Sequence, residues 1–227
     1  MAYRSLKRRV IDLLEQADFS AAHAEMLQLP ARQVVNPLFS CLYAKDELVR
    51  WRAVTAMGVV VGHMGETSME SARVVMRRLM WNLNDESGGI GWGSPEAMGE
   101  IIAVHAGLAR EYGRILISYI NPNGNFLEHE TLQRGALWGV GRMAHAWPEQ
   151  AKPAAEFLPL FFTASDPYLR GISVWALTPI IEMGMVPRLM PLCSDPASLR
   201  LYRDGQLSDT TVSGLAHGAL AHVGISC

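Results

Sequence analysis

The sequence predicts an all-α protein, a right-handed α–α superhelix made by stacking helix pairs. Three observations predict it. Apolar residues recur at helical spacing along nearly the whole chain. Strand-like alternation is confined to 199–207, where Arg203-Asp204-Gly205 suits the turn of a small hairpin. Several helices also align as copies of one another at a period of roughly 40 residues, the range of two-helix repeats.

Taken in order, Tyr3 to Ala17 reads as an amphipathic helix, and Ser20 to Leu29 as a second that Pro30 closes. A third apolar run from Gln33 to Tyr43 precedes a turn at Lys45 and Asp46. Leu48 to Val61 and Met69 to Leu83 follow as helices. A glycine-rich loop leads to Ser94, where Ser94 offers an N-cap oxygen, Pro95 suits the first turn, and Glu96 and Glu100 sit near the positive end of the helix dipole. Ser94 to Tyr112 and Arg114 to Ile120 come next, then a polar break at Asn121-Pro122-Asn123-Gly124-Asn125. Glu128 to Ala146, Pro148 to Phe162, Pro167 to Met183 and Val186 to Leu192 complete the expected helical segments before the hairpin and a last helix.

The repeat is visible with Arg50, Gly91, Gln133, Arg170 and Thr210 as equivalent positions. Three residues on stand Ala53, Ser94, Ala136, Ser173 and Ser213, and six on stand Ala56, Ala97, Gly139, Ala176 and Ala216. Eight on are Gly58, Gly99, Gly141, Thr178 and Gly218, while ten on are the large aliphatics Val60, Ile101, Met143, Ile180 and Leu220. Offsets three, six and ten share a helix face, so small residues there let a partner helix approach while the large one fills the space beyond. A helix pair cannot bury its apolar stripe alone, so pairs must stack. The expected organisation is one domain over 1–227, with 1–30 as an N-terminal cap and helix pairs near 33–62, 69–111, 112–146, 148–183 and 185–224.

Composition narrows the function classes. About half of the residues are apolar (49%) and 19% are charged, a globular balance. With 20 Lys and Arg against 22 Asp and Glu, the formal charge of −2 argues against nucleic acid as partner. Cys41, Cys193 and Cys227 form an odd set without a CxxC pair, which suggests no disulfide framework and no zinc knuckle, and points to a reducing compartment with Cys227 as a free tail. The apolar run Val10 to Leu14 is too short for a signal peptide, and the uncharged stretch from Thr210 is too polar for a membrane span. A cytoplasmic location follows as the expectation.

Asp46-Glu47-Leu48-Val49-Arg50 leading to Ala56-Met57-Gly58, and Asp166-Pro167-Tyr168-Leu169-Arg170 leading to Ala176-Leu177, resemble the second-helix signature of HEAT-like repeats, as in armadillo-type and phycobilin-lyase-like proteins. The resemblance covers about Gln33 to Gly224 and implies the fold while implying no activity. The glycine-loop stretch is also similar to a segment of a small group of HEAT-like proteins from anaerobic prokaryotes without an assigned activity. The second and third units depart from the signature, with Gly91 and Gln133 in place of the arginine.

Two constellations are candidates for binding. The stretch from Trp81 to Glu100 contains Asn84, Asp85, Glu86 and Ser87, then Trp92, Glu96 and Glu100. Its tryptophans would anchor a partner while its acidic side chains meet a cation or a basic peptide; otherwise it is a long connection whose tryptophans plug the solenoid. Arg134, Trp138 and Arg142 fall at every fourth position of one helix, on a face apart from Leu132, Ala136 and Met143. Exposed, they would form an anion-recognising, stacking strip; packed on a neighbouring repeat, the arginines would pair with acidic residues there.

No catalytic or metal constellation emerges. His217 and His222 lie five apart, which separates them by roughly 140° on a helix. His129-Glu130 is similar to the pairs of HEAT-repeat di-iron hydroxylases, which need several such pairs. Neither a phosphate-binding glycine loop nor a nucleophile elbow is present, so no cofactor is expected. The leading expectation is a non-enzymatic module that binds another protein through its second helices and the Trp81–Glu100 loop; self-association is compatible with the sequence. The alternative is a small enzyme of the HEAT-like lyase kind with Asp85, Glu86 and Glu96 as acid–base groups. DNA-lesion binding, as in HEAT-like alkylpurine glycosylases, is disfavoured by charge.

Overall fold

The structure is a computed structural model and describes residues 3–84 and 91–227. Among the described residues, α1 (Tyr3–Glu15), α2 (Phe19–Leu27), α3 (Ala31–Cys41), α4 (Glu47–Thr67), α5 (Met69–Leu83), α6 (Ser94–Val104), α7 (Ala106–Ser118), α8 (Glu130–Ala146) and α9 (Pro148–Ala151) are followed by α10 (Pro167–Leu177), α11 (Val186–Leu189), the hairpin strands β1 (Ser198–Arg203) and β2 (Gln206–Thr211), and α12 (Val212–His222). The fold is a helical-repeat solenoid. Helices α4, α6, α8, α10 and α12 stack side by side in one layer, with α3, α5, α7 and α9 packed behind them.

The small positions make this layer possible. Ala53, Ser94, Ala136 and Ser173 are fully buried, as are Ala56, Ala97, Ala176 and Ala216, and Val60, Ile101, Met143 and Leu220 fill the space beyond. Between α6 and α8 the approach reaches backbone distance. A Cβ on Gly99 would lie 2.2 Å from Gly139 Cα, and a Cβ on Gly139 would lie 2.6 Å from the Pro95 carbonyl oxygen.

Several expected boundaries shift for identifiable reasons. The expected helix from Ser94 to Tyr112 breaks at His105, whose backbone is extended and whose Nδ1 accepts from the Leu108 amide to start α7. Ser94 is not the cap of α6: Gly93, at φ 73°, holds that place, and the Ser94 hydroxyl is buried without a hydrogen-bond partner among the described residues. Pro148 to Phe162 forms one α turn followed by two 3-10 turns, because Pro153 and Pro159 have no amide hydrogen for an α-helical bond. Pro179 ends α10 in the same way.

The hairpin forms, slightly longer than expected, with Arg203 paired to Gln206 around Asp204-Gly205; both turn residues have positive φ, at 51° and 78°, as a tight two-residue turn requires. Cys193 and Cys227 are disulfide-bonded, which corrects the expectation of three unpaired cysteines; only Cys41 is free, and it is buried. The pairing is invisible in the sequence because 34 positions separate the two, and the 3-10 turn Met190–Ser194 packing on α12 brings them together. Among the described residues, no helix is long and apolar enough to cross a membrane.

Candidate functional site

The equivalent positions that align the repeats also place one further face in common. Offsets one, five and nine correspond to Trp51, Thr55 and Val59 on α4, Trp92, Glu96 and Glu100 at α6, Arg134, Trp138 and Arg142 on α8, and Gly171 and Trp175 on α10. The two candidate constellations are therefore the same face of adjacent helices, and the structure joins them. Arg142 Nε donates to Glu100 Oε2 at 2.6 Å and its Nη2 to Oε1 at 3.0 Å.

This face carries an aromatic row that the hairpin caps. The Tyr202 ring stacks on Trp51 with centroids 5.0 Å apart and planes 9° apart, and its hydroxyl lies 2.9 Å from Thr55 Oγ1. Trp51 in turn packs at 4.7 Å on Trp138, whose indole N–H donates to the Tyr202 carbonyl at 3.0 Å. Trp138 continues to Trp175 at 6.2 Å, and Trp175 stacks on His145. Consequently Trp138 is only 1% exposed and is no surface strip; the hairpin and the neighbouring tryptophans enclose it.

The hairpin flanks two clefts. In the first, of about 470 Å³, the α3–α4 connection supplies Tyr43 and Lys45, and the starts of α4, α6, α8 and α10 supply Arg50, Glu96, Arg134 and Tyr168, with Arg200 from β1 and Trp92 at the edge. Helix N-termini converging on one cavity add positive partial charge to that of the basic side chains. All three arginines are paired: Arg134 donates to Asp166 at 2.7 Å and to Glu130 at 2.6 Å, Arg200 pairs with Asp209 at 3.1 Å and lies 3.5 Å from Glu47, and Arg50 lies 3.8 Å from Glu47, which also lines the cleft. Lys45 is exposed, and Trp92 is 44% exposed.

Glu96 is the unusual member. Its Oε2 is sealed from solvent, has no hydrogen-bond partner among the described residues, and presses on Gly135 of α8. Burial lifts its carboxyl to about 7, with a hydrogen bond from its own backbone amide and the charge of Arg50 pulling the other way. The second cleft, also of about 470 Å³, is lined by His23, Arg52, Glu100, Arg142 and the hairpin turn. Burial lowers the His23 imidazole, and Arg52 is spent on the Leu14 and Gln16 carbonyls.

The remaining expected residues scatter. Trp81 is 73% exposed at the end of α5, and Asn84 caps that helix, so neither tryptophan of the glycine-loop stretch plugs the core. Asp85, Glu86 and Ser87 lie outside the described residues. Glu100 is buried and already neutralised by Arg142. The basic surface a nucleic-acid binder needs is not assembled among the described residues: Arg77 pairs with Glu70 and Arg78 packs on Phe39, both on the other helix layer. Missed from the sequence were Trp51, Tyr168, Trp175 and Tyr202; the tryptophans at matching offsets were the available signal.

Solved structures share the fold across nearly the whole chain and match the sequence weakly. Over 96% of this chain, a designed armadillo repeat protein superposes with a TM-score of 0.53 at 18% identity, covering 99% of that chain. Another, solved in complex with the peptide (KR)4, gives 0.53 at 18% over 98% of its length. A computationally designed armadillo repeat protein for modular peptide recognition gives 0.51 at 18%, with 96% and 99% covered. The chain has an armadillo/HEAT-like helical-repeat fold. In sequence, 110 residues, 48% of this chain, are 31% identical to an uncharacterised protein of Archaeoglobus fulgidus, and the match spans 53% of that protein. No family model matches.

Proposed function

We propose that this protein is an interaction module that binds an extended, acidic segment of another protein in the Trp92–Glu96–Arg134 cleft. The observation that carries the reading is the cleft itself: four helix starts, Lys45, Arg50, Arg134 and Arg200 around a floor that holds a carboxyl able to stay protonated, with an exposed tryptophan at the edge. A peptide carboxylate would meet these cations while an adjacent apolar side chain packs on Trp92. Armadillo-type designs binding peptides on the same architecture support the general reading; (KR)4 is basic, and the acidic preference proposed for this cleft rests on its own Lys45, Arg50, Arg134 and Arg200. The setting we propose is cytoplasmic.

The test is a peptide array of acidic, basic and neutral sequences probed with the intact chain. Acidic peptides should be retained, and Trp92→Ala and Arg50→Glu should each lower their affinity at least tenfold while the melting temperature stays within a few degrees. Equal retention of all three peptide classes, or unchanged affinity in both variants, rejects the assignment.

One observation favours a second reading. A carboxyl that titrates near neutrality in a cleft, with one oxygen sealed from solvent and unpartnered among the described residues, is a usual form of a general acid–base group, so Glu96 suits an enzyme of the acid–base type. Turnover lost in Glu96→Gln would establish it.

A further inference from the structure

At the far end of the solenoid from α1, three metal-ligating side chains converge outside both clefts. Cys193 lies in the 3-10 turn before β1, His217 is on α12, and Cys227 is in the tail beyond α12. One ligand atom from each lies within 4.8 Å of the other two. The His217 ring Nε2 lies 3.4 Å from the Cys193 carbonyl oxygen, which places the imidazole directly over the turn that holds Cys193. His217 and Cys227 are exposed and Cys193 is half-buried, so an ion reaches the group from solvent. The Cα atoms of the two cysteines are 6.0 Å apart.

We infer that the reduced chain binds one zinc ion between Cys193 Sγ, Cys227 Sγ and a ring nitrogen of His217, and that the disulfide is the metal-free, oxidised state of this same site. The chemistry of the donor set points to zinc. Two thiolates and an imidazole suit a borderline-soft ion and suit calcium or magnesium poorly. A tetrahedral ion with Zn–S bonds of about 2.3 Å holds its sulfurs about 3.8 Å apart, a distance that side-chain rotation supplies once the sulfur–sulfur bond is gone. Three protein ligands leave the fourth position for water, as expected at an exposed site.

The exchange balances. Zinc uptake by the two thiols and the neutral imidazole releases two protons and forms two Zn–S bonds and one Zn–N bond. A peroxide as oxidant takes one electron from each sulfur and cleaves its O–O bond. It is thereby reduced, with two protons from solvent, to two molecules of water, while the sulfurs join and zinc leaves as the hydrated ion. A dithiol or a phosphine returns the cysteines to the reduced state. Zinc and disulfide are therefore mutually exclusive, and either one ties the turn before β1 to the tail after α12 across the hairpin.

The test uses the full chain, reduced with a phosphine, freed of reductant without oxygen, and dialysed against zinc chloride alone. The expected result is one zinc per chain. It should be absent from the oxidised chain and from Cys193→Ser/Cys227→Ser, be retained in Cys41→Ser, and bind at least tenfold more weakly in His217→Ala. Cobalt(II) in place of zinc should give a thiolate charge-transfer band, and hydrogen peroxide should release one zinc for each disulfide formed. Circular dichroism checks that each variant is folded. The inference is overturned if the reduced chain holds no more zinc than the double serine variant, if His217→Ala binds as tightly as the unsubstituted chain, or if peroxide leaves the zinc in place.

Discussion

Gly99 and Gly139 meet where α6 crosses α8, so closely that a Cβ on Gly99 would fall 2.2 Å from Gly139 Cα. Backbone, unlike the end of a flexible side chain, cannot give way there, and the same crossing sets the distance between Glu96 on α6 and Arg134 on α8. Fold and cleft therefore depend on one contact.

Gly99→Ala should thus cost about 3 kcal/mol or more, the upper end of overpacking effects. For a chain of this length that is a fall in melting temperature of roughly 6–12 °C. Gly218→Ala is the control. Gly218 holds the equivalent place on α12, where nothing lies within 4 Å of an added Cβ, so the helix gains up to about 1 kcal/mol from the better helix former. Thermal unfolding of the two variants should move in opposite directions.

The Glu100–Arg142 pair predicts strong coupling. Arg142→Met leaves a buried carboxylate without its cation and should cost about 3 kcal/mol, whereas Glu100→Met/Arg142→Met should lie within about 1 kcal/mol of the unsubstituted chain. A double-mutant cycle by chemical denaturation measures this; additive losses would mean that the pair is not an energetic unit.

Glu96 predicts an acid-favouring stability term. Its folded-state carboxyl titrates near 7 against an ordinary value of 4.5, so between these the unfolded chain has lost a proton that the folded chain keeps. Stability from this group is full below about 4.5 and is lost as pH rises through about 7, a difference of roughly 3 kcal/mol. Glu96→Gln should be more stable than the unsubstituted chain at pH 8 and equal to it near pH 4.5. Acidic-peptide binding should likewise weaken from pH 6 to pH 8 and lose that slope in Glu96→Gln.

The disulfide encloses the hairpin and α12, a separation of 34 positions, and loop-closure entropy assigns it about 4 kcal/mol at most. Cys227→Ser under oxidising conditions should lose about 2–4 kcal/mol, read as a lower denaturant midpoint with little change in slope. A zinc-loaded, reduced chain should recover part of that loss, and the serine variant should not.

The helical class, the repeat period, the small-residue contacts and even the hairpin turn were legible in the sequence, because each depends on periodicity or on the steric needs of one or two residues. Ala56, Gly58 and Ala97 announce close helix packing without any knowledge of what lies opposite. The candidate site was legible only as two separate strings, Trp92–Glu96–Glu100 and Arg134–Trp138–Arg142. Their meeting depends on the crossing of α6 and α8, and linear order does not encode that distance. Only the tertiary structure decided that Trp138 is enclosed by a hairpin 64 residues downstream, that Glu100 is neutralised by Arg142, and that Cys193 bonds to Cys227. Burial, desolvation and pairing are properties of what surrounds a side chain in space, and in a stacked-helix protein most of those surroundings come from a different repeat.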